Sequence, residues 1–196
     1  MSHVSKWMSL NHEELRMEIR KAILGQGMAS SSQYLHFNEQ YLAGIENAEL
    51  RDLVLRIVVE TMKDVQDYAA SRALYIFTIL DVDDKKKVVV DIVRSKEGDI
   101  DKLTDSSMPV PELMRNLEYL YELNMAIGRL FLVEGKEFLL KQLKTGRKPA
   151  PMPPTNEFFI YHLSEKSALE SLKVLDPELA KRRRSRTLAK GARGHS

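Results

Sequence analysis

Carboxylates and imidazoles at helical spacing are the side chains of this sequence that could bind a metal ion. In the first half, His36 and Glu39 are three residues apart, and the second half offers Glu118, Glu122, His162 and Glu165. Carboxylate oxygen and imidazole nitrogen together suit iron or manganese held between helices. An isolated pair on the polar face of a helix, such as His36 with Glu39, is more typical of a solvated surface.

The basic end of the chain is the other candidate for function. Residues 181–196 contain no acid and seven basic side chains: Lys181, Arg182, Arg183, Arg184, Arg186, Lys190 and Arg193. The rest of the chain has the other 23 of 30 Lys and Arg side chains against 28 acidic ones, a net charge of −5. Basic residues without neighbouring acids neutralise phosphates and release their counterions. This composition predicts contact with nucleic acid or with a nucleoprotein partner.

Two other interpretations of the basic end are open. A charged segment with few apolar residues is also typical of a solubilising tail. Binding to an anionic membrane surface would use the same charges, but few apolar anchors lie among them.

Composition and motifs exclude several kinds of site. The 196 residues include no Cys, so disulfides, thiolate metal sites and cysteine nucleophiles are excluded. The sequence contains no GxGxxG, GxxxxGK[ST], HExxH or GxSxG motif. No apolar run approaches the roughly 20 residues that span a bilayer, and the first residues lack the apolar core of a signal peptide. We therefore expect a cytoplasmic protein without a transmembrane segment.

Apolar residues at helical spacing predict two helices in the first half of the chain. The first begins at Asn11, where Glu14 has the spacing of a capping box, and continues to about Leu42. The second follows a short turn at 44–47 and continues to Leu80. Its predicted buried stripe is Val54, Val58, Met62 or Thr61, Val65, Ala69, Ala73, Ile76 and Leu80.

Two further helices are predicted in the second half. The third runs from Pro111 to Lys144, and the fourth begins at Thr155 or Asn156 and ends before Asp176. A crossover at 81–110 precedes the third helix, and a Pro-rich link at 146–154 follows it. Within the crossover, residues 85–93 form either a short strand or a helical turn. These elements predict an all-α, antiparallel up-down four-helix bundle over residues 11–176, between an N-terminal segment at 1–10 and a basic C-terminal tail at 177–196.

Three motifs in the first half, QYLHF, AGIENAELRDLV and VVETMKDVQDYA, occur in this order within about residues 13–80. Their order resembles the first helix pair of ferritin-like proteins, including rubrerythrin-like members. The resemblance implies a ferritin-like bundle with one long crossover after its second helix.

The same resemblance implies positions for metal ligands. The acidic ligand of the first helix corresponds to Gln26 or Gly27, and the Glu-x-x-His pair of the second corresponds to Thr61 and Asp64. Only Asp64 keeps a carboxylate. Glu60 lies off the apolar stripe, so we expect it to be solvated while Thr61 is buried. A divergent iron or manganese protein is the alternative function, with ligands drawn from Asp64, Glu118, Glu122, His162 and Glu165.

These observations favour a non-catalytic helical interaction module without a cofactor, whose basic tail contacts nucleic acid or a nucleoprotein. The third predicted helix also has a wide apolar face, which exceeds the needs of one four-helix core and predicts a homodimer. The residues of that face are Leu130, Phe131, Leu132, Val133, Phe138, Leu139 and Leu140.

Overall fold

The computed structural model describes residues 6–24, 45–105, 107–144 and 156–179, except for the side chains of 156–163. All regular elements in these ranges are helices, so the predicted all-α class is confirmed for them. The chain divides into two compact units, Met1–Lys85 and Lys86–Ser196, where the sequence favoured one domain over 11–176. No helix of the described part is long and apolar enough to cross a membrane.

The first unit contains α1 (His12–Ile23), α2 (Ala48–Lys63) and α3 (Ala70–Ile79), with α2 packed against both of the others. The predicted capping box is confirmed: Asn11 Oδ1 accepts the Glu14 N–H, and the Glu14 carboxylate accepts the Asn11 N–H. The prediction of one helix to about Leu42 is wrong, because α1 ends at Ile23. Residues 25–44 lie outside the described ranges.

The predicted second helix is broken into α2 and α3, although its buried stripe is confirmed. Two aspartates accept backbone N–H groups in the break, Asp64 from Gln66 at 3.0 Å and Asp67 from Ala69 at 2.9 Å. Such local bonds compete with those of a helix. The other oxygen of Asp67 lies 2.7 Å from Arg20 Nε of α1, and this ion pair holds the break against the first helix.

The second unit begins within α4 (Lys85–Lys96), followed by α5 (Ile100–Leu103) and α6 (Val110–Arg129). A 3-10 turn (Val133–Gly135) leads to α7 (Lys136–Lys144), and the last described helix is α8 (Asn156–Leu175). Residues 85–93, for which the sequence left strand or helical turn open, belong to α4. The bounds predicted for the fourth helix are confirmed. α8 packs against α6 and α7, and α5 packs against α6.

The third predicted helix is also broken, between α6 and α7. The N–H groups of Phe131 and Leu132 bond to the carbonyl oxygens of Gly128 and Ile127, which is the hydrogen-bond pattern of a Schellman motif. Phe131 takes the left-handed position of this motif, with φ of 53°, where glycine is the usual residue. A continuous helix was predicted because no glycine marks this position.

The broken helix weakens the argument for a dimer. Five of the seven apolar residues on the predicted face are buried within the chain: Leu130, Leu132, Phe138, Leu139 and Leu140. Only Phe131 and Val133 are exposed, with 66% and 68% of their surface accessible. The apolar surplus that predicted a dimer is therefore reduced to two side chains.

The left-handed position predicts that Phe131→Gly stabilises the second unit. An L-residue in this conformation costs about 1–2 kcal/mol, which exceeds the entropic cost of glycine of about 0.5–1 kcal/mol. We expect a gain of up to about 1 kcal/mol in the free energy of unfolding, measured by urea titration with circular dichroism. Val133→Gly is the matched control, because Val133 is equally exposed at a negative φ and should lose stability. A loss of stability in both variants would contradict the interpretation.

A group of charges joins α1 to the residues before it. Glu18, whose side chain is 17% exposed, lies 3.0 Å from both Lys21 Nζ and Lys6 Nζ. The hydrogen bond from Lys21, followed by that from Lys6, lowers the pKa of Glu18 below its ordinary value of 4.5. A carboxyl with a lowered pKa adds stability above its unfolded-state pKa, and that stability is lost as the pH falls through the folded-state pKa.

Glu18→Gln should therefore reduce stability in a pH-dependent way. We expect a loss of a few tenths of a kcal/mol at pH 7, because the side chains of Lys6 and Lys21 are 39% and 47% exposed and salt screens them. The difference between wild type and variant should vanish below the folded-state pKa of Glu18. Unfolding midpoints across pH 3–7 measure this, with the exposed Glu60→Gln as control. A constant difference over that range would show that the ion pairs contribute nothing to it.

Candidate functional site

The seven basic residues predicted to bind nucleic acid, Lys181, Arg182, Arg183, Arg184, Arg186, Lys190 and Arg193, lie outside the described ranges. What the structure describes is the attachment of the segment that leads to them. α8 ends at Leu175, and Asp176 caps the short helical turn that follows by accepting the Leu179 N–H at 2.9 Å.

Asp176 also ties the end of α8 to α7. Its Oδ2 atom lies 2.5 Å from Nζ of Lys136, the first residue of α7, and the two side chains are 29% and 33% exposed. Partial burial makes such a pair stronger than a fully solvated one. The basic residues therefore follow a stretch of chain that is held at the start of α7.

A buried polar cluster, comprising Asn124, Gln142, Ser164, Ser167 and Ser171, holds α6, α7 and α8 together. The amides of Asn124 and Gln142 bond to each other in both directions, with Asn124 Nδ2 3.0 Å from Gln142 Oε1 and Gln142 Nε2 2.7 Å from Asn124 Oδ1. Asn124 Nδ2 also lies within bonding distance of the Ser164 carbonyl and the Ser167 hydroxyl on α8. Since buried amides are costly when unpaired, this cluster sets the register of three helices.

Small side chains let α8 approach α6 closely in this cluster. Ser171 Oγ donates to the Asn124 carbonyl at 2.6 Å. A Cβ atom added at Gly128 would lie 2.7 Å from Ser171 Oγ and 3.2 Å from its Cα atom. Glycine is therefore required at Gly128 for this packing distance.

The polar cluster was not predicted from the sequence, because apolar side chains are the usual sign of a buried helix face. Leu169 and Leu175 of α8 are only half-buried. The buried residues among the described side chains of α8 are Ser164, Ser167, Ala168, Ser171 and Leu172. Serines at 164, 167 and 171 recur at the helical period, and this spacing was the available signal.

The residues of the alternative metal site are not gathered around a metal position in the described part of the chain. Glu118 and Glu165 are exposed, and Glu122 Oε2 lies 3.7 Å from Arg129. His162 belongs to α8, but its side chain is not described. Among the described side chains, no group of three or more His, Asp or Glu is placed to hold a metal ion.

The positions implied by the ferritin-like resemblance have structural roles where they are described. Thr61 is buried, and its hydroxyl donates to the Ile57 carbonyl at 2.8 Å. Glu60 is exposed. Both observations confirm the predictions, which were a buried Thr61 and a solvated Glu60. Asp64 is the C-cap of α2, with an extended backbone, and does not continue the helix as the resemblance required. Gln26, Gly27, His36 and Glu39 lie outside the described ranges.

Comparison of the chain with models of protein families, with curated proteins and with solved structures finds no match.

The buried polar cluster predicts that Asn124→Leu is strongly destabilising. The substitution removes both amide bonds between Asn124 and Gln142 and the bonds to Ser164 and Ser167 in a buried site, so we expect a loss of about 3 kcal/mol. Adding Gln142→Met to this variant should recover part of the loss, because the buried amide that lost its bonds to Asn124 is then removed as well. Urea unfolding followed by circular dichroism measures both effects.

The matched control is Asn116→Leu on the same helix. Asn116 is also buried, but its Oδ1 atom has no hydrogen-bond partner among the described residues, and its Nδ2 atom lies 3.3 Å from the Met108 sulfur. Removing a poorly paired amide should be neutral or stabilising. Equal losses at Asn116 and Asn124 would show that volume, rather than hydrogen bonding, determines stability here.

Proposed function

We propose that this protein is a helical interaction module whose basic C-terminal segment binds nucleic acid, alone or within a nucleoprotein particle. The observation that supports the proposal is the segment 181–196, with seven basic side chains and no acid. Side chains of this kind contact phosphates and do not read base edges by themselves. Binding is therefore strongly salt-dependent and nearly independent of sequence.

In this proposal, the helices of the second unit form the rigid domain to which the basic segment is attached. The buried polar cluster fixes α7 against α8, and the ion pair between Lys136 and Asp176 ties the last described residues to α7. Those helices then present the basic segment from one place on their surface. The proposal includes a cytoplasmic location, in which the protein has access to nucleic acid.

Fluorescence anisotropy with a labelled duplex and a labelled single strand tests the proposal. Neutralising about seven phosphates gives a slope of log K against log salt of up to about −6 on duplex DNA. In the full chain, the triple substitution Arg182→Gln, Arg183→Gln, Arg184→Gln should weaken binding and reduce the magnitude of the slope by up to about 3.

The matched control removes the same charge from exposed helical positions, by Lys87→Gln, Lys144→Gln and Lys166→Gln together. It should leave most of the affinity and the slope unchanged. Equal effects of the two triple variants would mean that net charge alone drives binding. Binding to vesicles of anionic phospholipid, without binding to either nucleic acid at low salt, would replace this proposal with a membrane-surface function.

A further inference from the structure

The turn between α6 and α7 exposes side chains that the packing of the second unit does not use. We define the acidic turn as Phe131, Val133, Glu134 and Glu137. Its two apolar members are about two-thirds exposed, and both glutamates are also exposed. Neither glutamate forms an ion pair with another described side chain.

Phe131 is unfavourable at its position in two respects. Its backbone has the left-handed conformation that disfavours bulky side chains, and its aromatic ring is largely in solvent. Glycine would remove both disadvantages. Strained residues of this kind are concentrated at binding sites, where contacts in the bound state compensate for them.

The charge of the acidic turn indicates the chemistry of the group that binds it. A surface that combines an exposed aromatic ring with two exposed carboxylates is complementary to arginine. A guanidinium group can stack on the ring and bond to a carboxylate at the same time.

The last described residues lie beside this turn, and an arginine-rich segment follows them in the sequence. Asp176 contacts Lys136, which lies between Glu134 and Glu137 in the chain. Lys181 follows Asp176 by five residues, of which 177–179 form the helical turn, so the reach from Asp176 to Lys181 is up to about 12 Å. Three arginines, Arg182 to Arg184, come directly after it. A short tether gives the segment an effective concentration in the millimolar range, at which weak contacts are populated.

We infer that the acidic turn binds residues 181–184 of the same chain, in competition with nucleic acid. The docking itself follows from the turn and the tether, while its effect on affinity rests on the function proposed above. Free protein holds its first basic residues against Phe131, Glu134 and Glu137, and a nucleic acid must displace them. The contact therefore weakens non-specific binding and favours ligands that engage the whole basic segment.

Spin labelling of the full chain tests the docking directly. The chain has no Cys, so Ser185→Cys provides a unique attachment point for a nitroxide. At low salt we expect the amide signals of residues 131–137 to lose more than half their intensity relative to the reduced label. Raising the salt, or introducing Glu134→Gln with Glu137→Gln, should restore them, since the contacts are exposed and screened. Equal broadening in the parent and in the double variant would overturn the inference, because it would reflect the tether alone.

A mixed sample identifies the source of the segment. Isotope-labelled chains without the nitroxide are combined with unlabelled chains that carry it. Broadening at 131–137 in this mixture would assign the docked segment to a second copy and overturn docking within one chain. Undiminished signals in the mixture, with broadening in the doubly labelled chain, are the expected result.

Measuring the affinity for nucleic acid tests whether docking of the basic residues competes with nucleic-acid binding. Glu134→Gln with Glu137→Gln should tighten binding about three- to tenfold, the effect expected from a few exposed ion pairs and one cation–π contact. Glu118→Gln with Glu165→Gln changes net charge equally at other exposed sites and controls for general electrostatics. Phe131→Gly changes no charge and should tighten binding about two- to fourfold. No tightening beyond that of the control pair would overturn the competition.

The two proposals fail in distinguishable ways. Salt-dependent broadening at the acidic turn in a protein that binds neither duplex nor single strand would reject the nucleic-acid function and retain the docking. Nucleic-acid binding without that broadening would retain the function and reject the docking.

Discussion

The side chain of Asn124 is the constraint on which the second unit depends. An amide removed from water must keep its hydrogen bonds, and Asn124 finds them on two other helices, at Gln142 of α7 and at Ser164 and Ser167 of α8. Sliding α8 by one turn, about 5.4 Å, would break the bonds to Ser164 and Ser167 together. Apolar contacts alone tolerate such shifts far better, so the polar cluster selects one register.

That register determines where the described part of α8 and the residues after it end. With α7 and α8 fixed against each other, Lys136 meets Asp176 just beyond the last turn of α8. The same packing places the beginning of the tail near a turn whose carboxylates oppose its charge. A buried arrangement of uncharged amides and hydroxyls thus fixes the position of the charged pair of Lys136 and Asp176.

Burial was easier to predict than helix length. Every residue of the stripe from Val54 to Leu80 is buried, although the helix that was expected to carry it is interrupted at Asp64. The stripe survives because the turn at 64–69 still directs Val65 and Ala69 inward. Aspartate side chains cause the interruption through bonds to nearby N–H groups, and their helix propensity alone did not reveal it. At Phe131 the sequence gives no indication of a helix end, because phenylalanine is atypical of the left-handed conformation that ends α6.

The sequence by itself determined the all-helical class of the described ranges, the capping of α1 at Asn11, the bounds of α8 and the charge asymmetry of the chain. These follow from the type of each residue and from interactions within about one helical turn. The tertiary structure decided where the long apolar segments break and which polar groups are paired. Gln142 lies 18 residues from Asn124 and Ser167 lies 43 residues away. Whether a buried polar group is stabilising depends on the atoms that folding brings to it, and no local pattern contains that information.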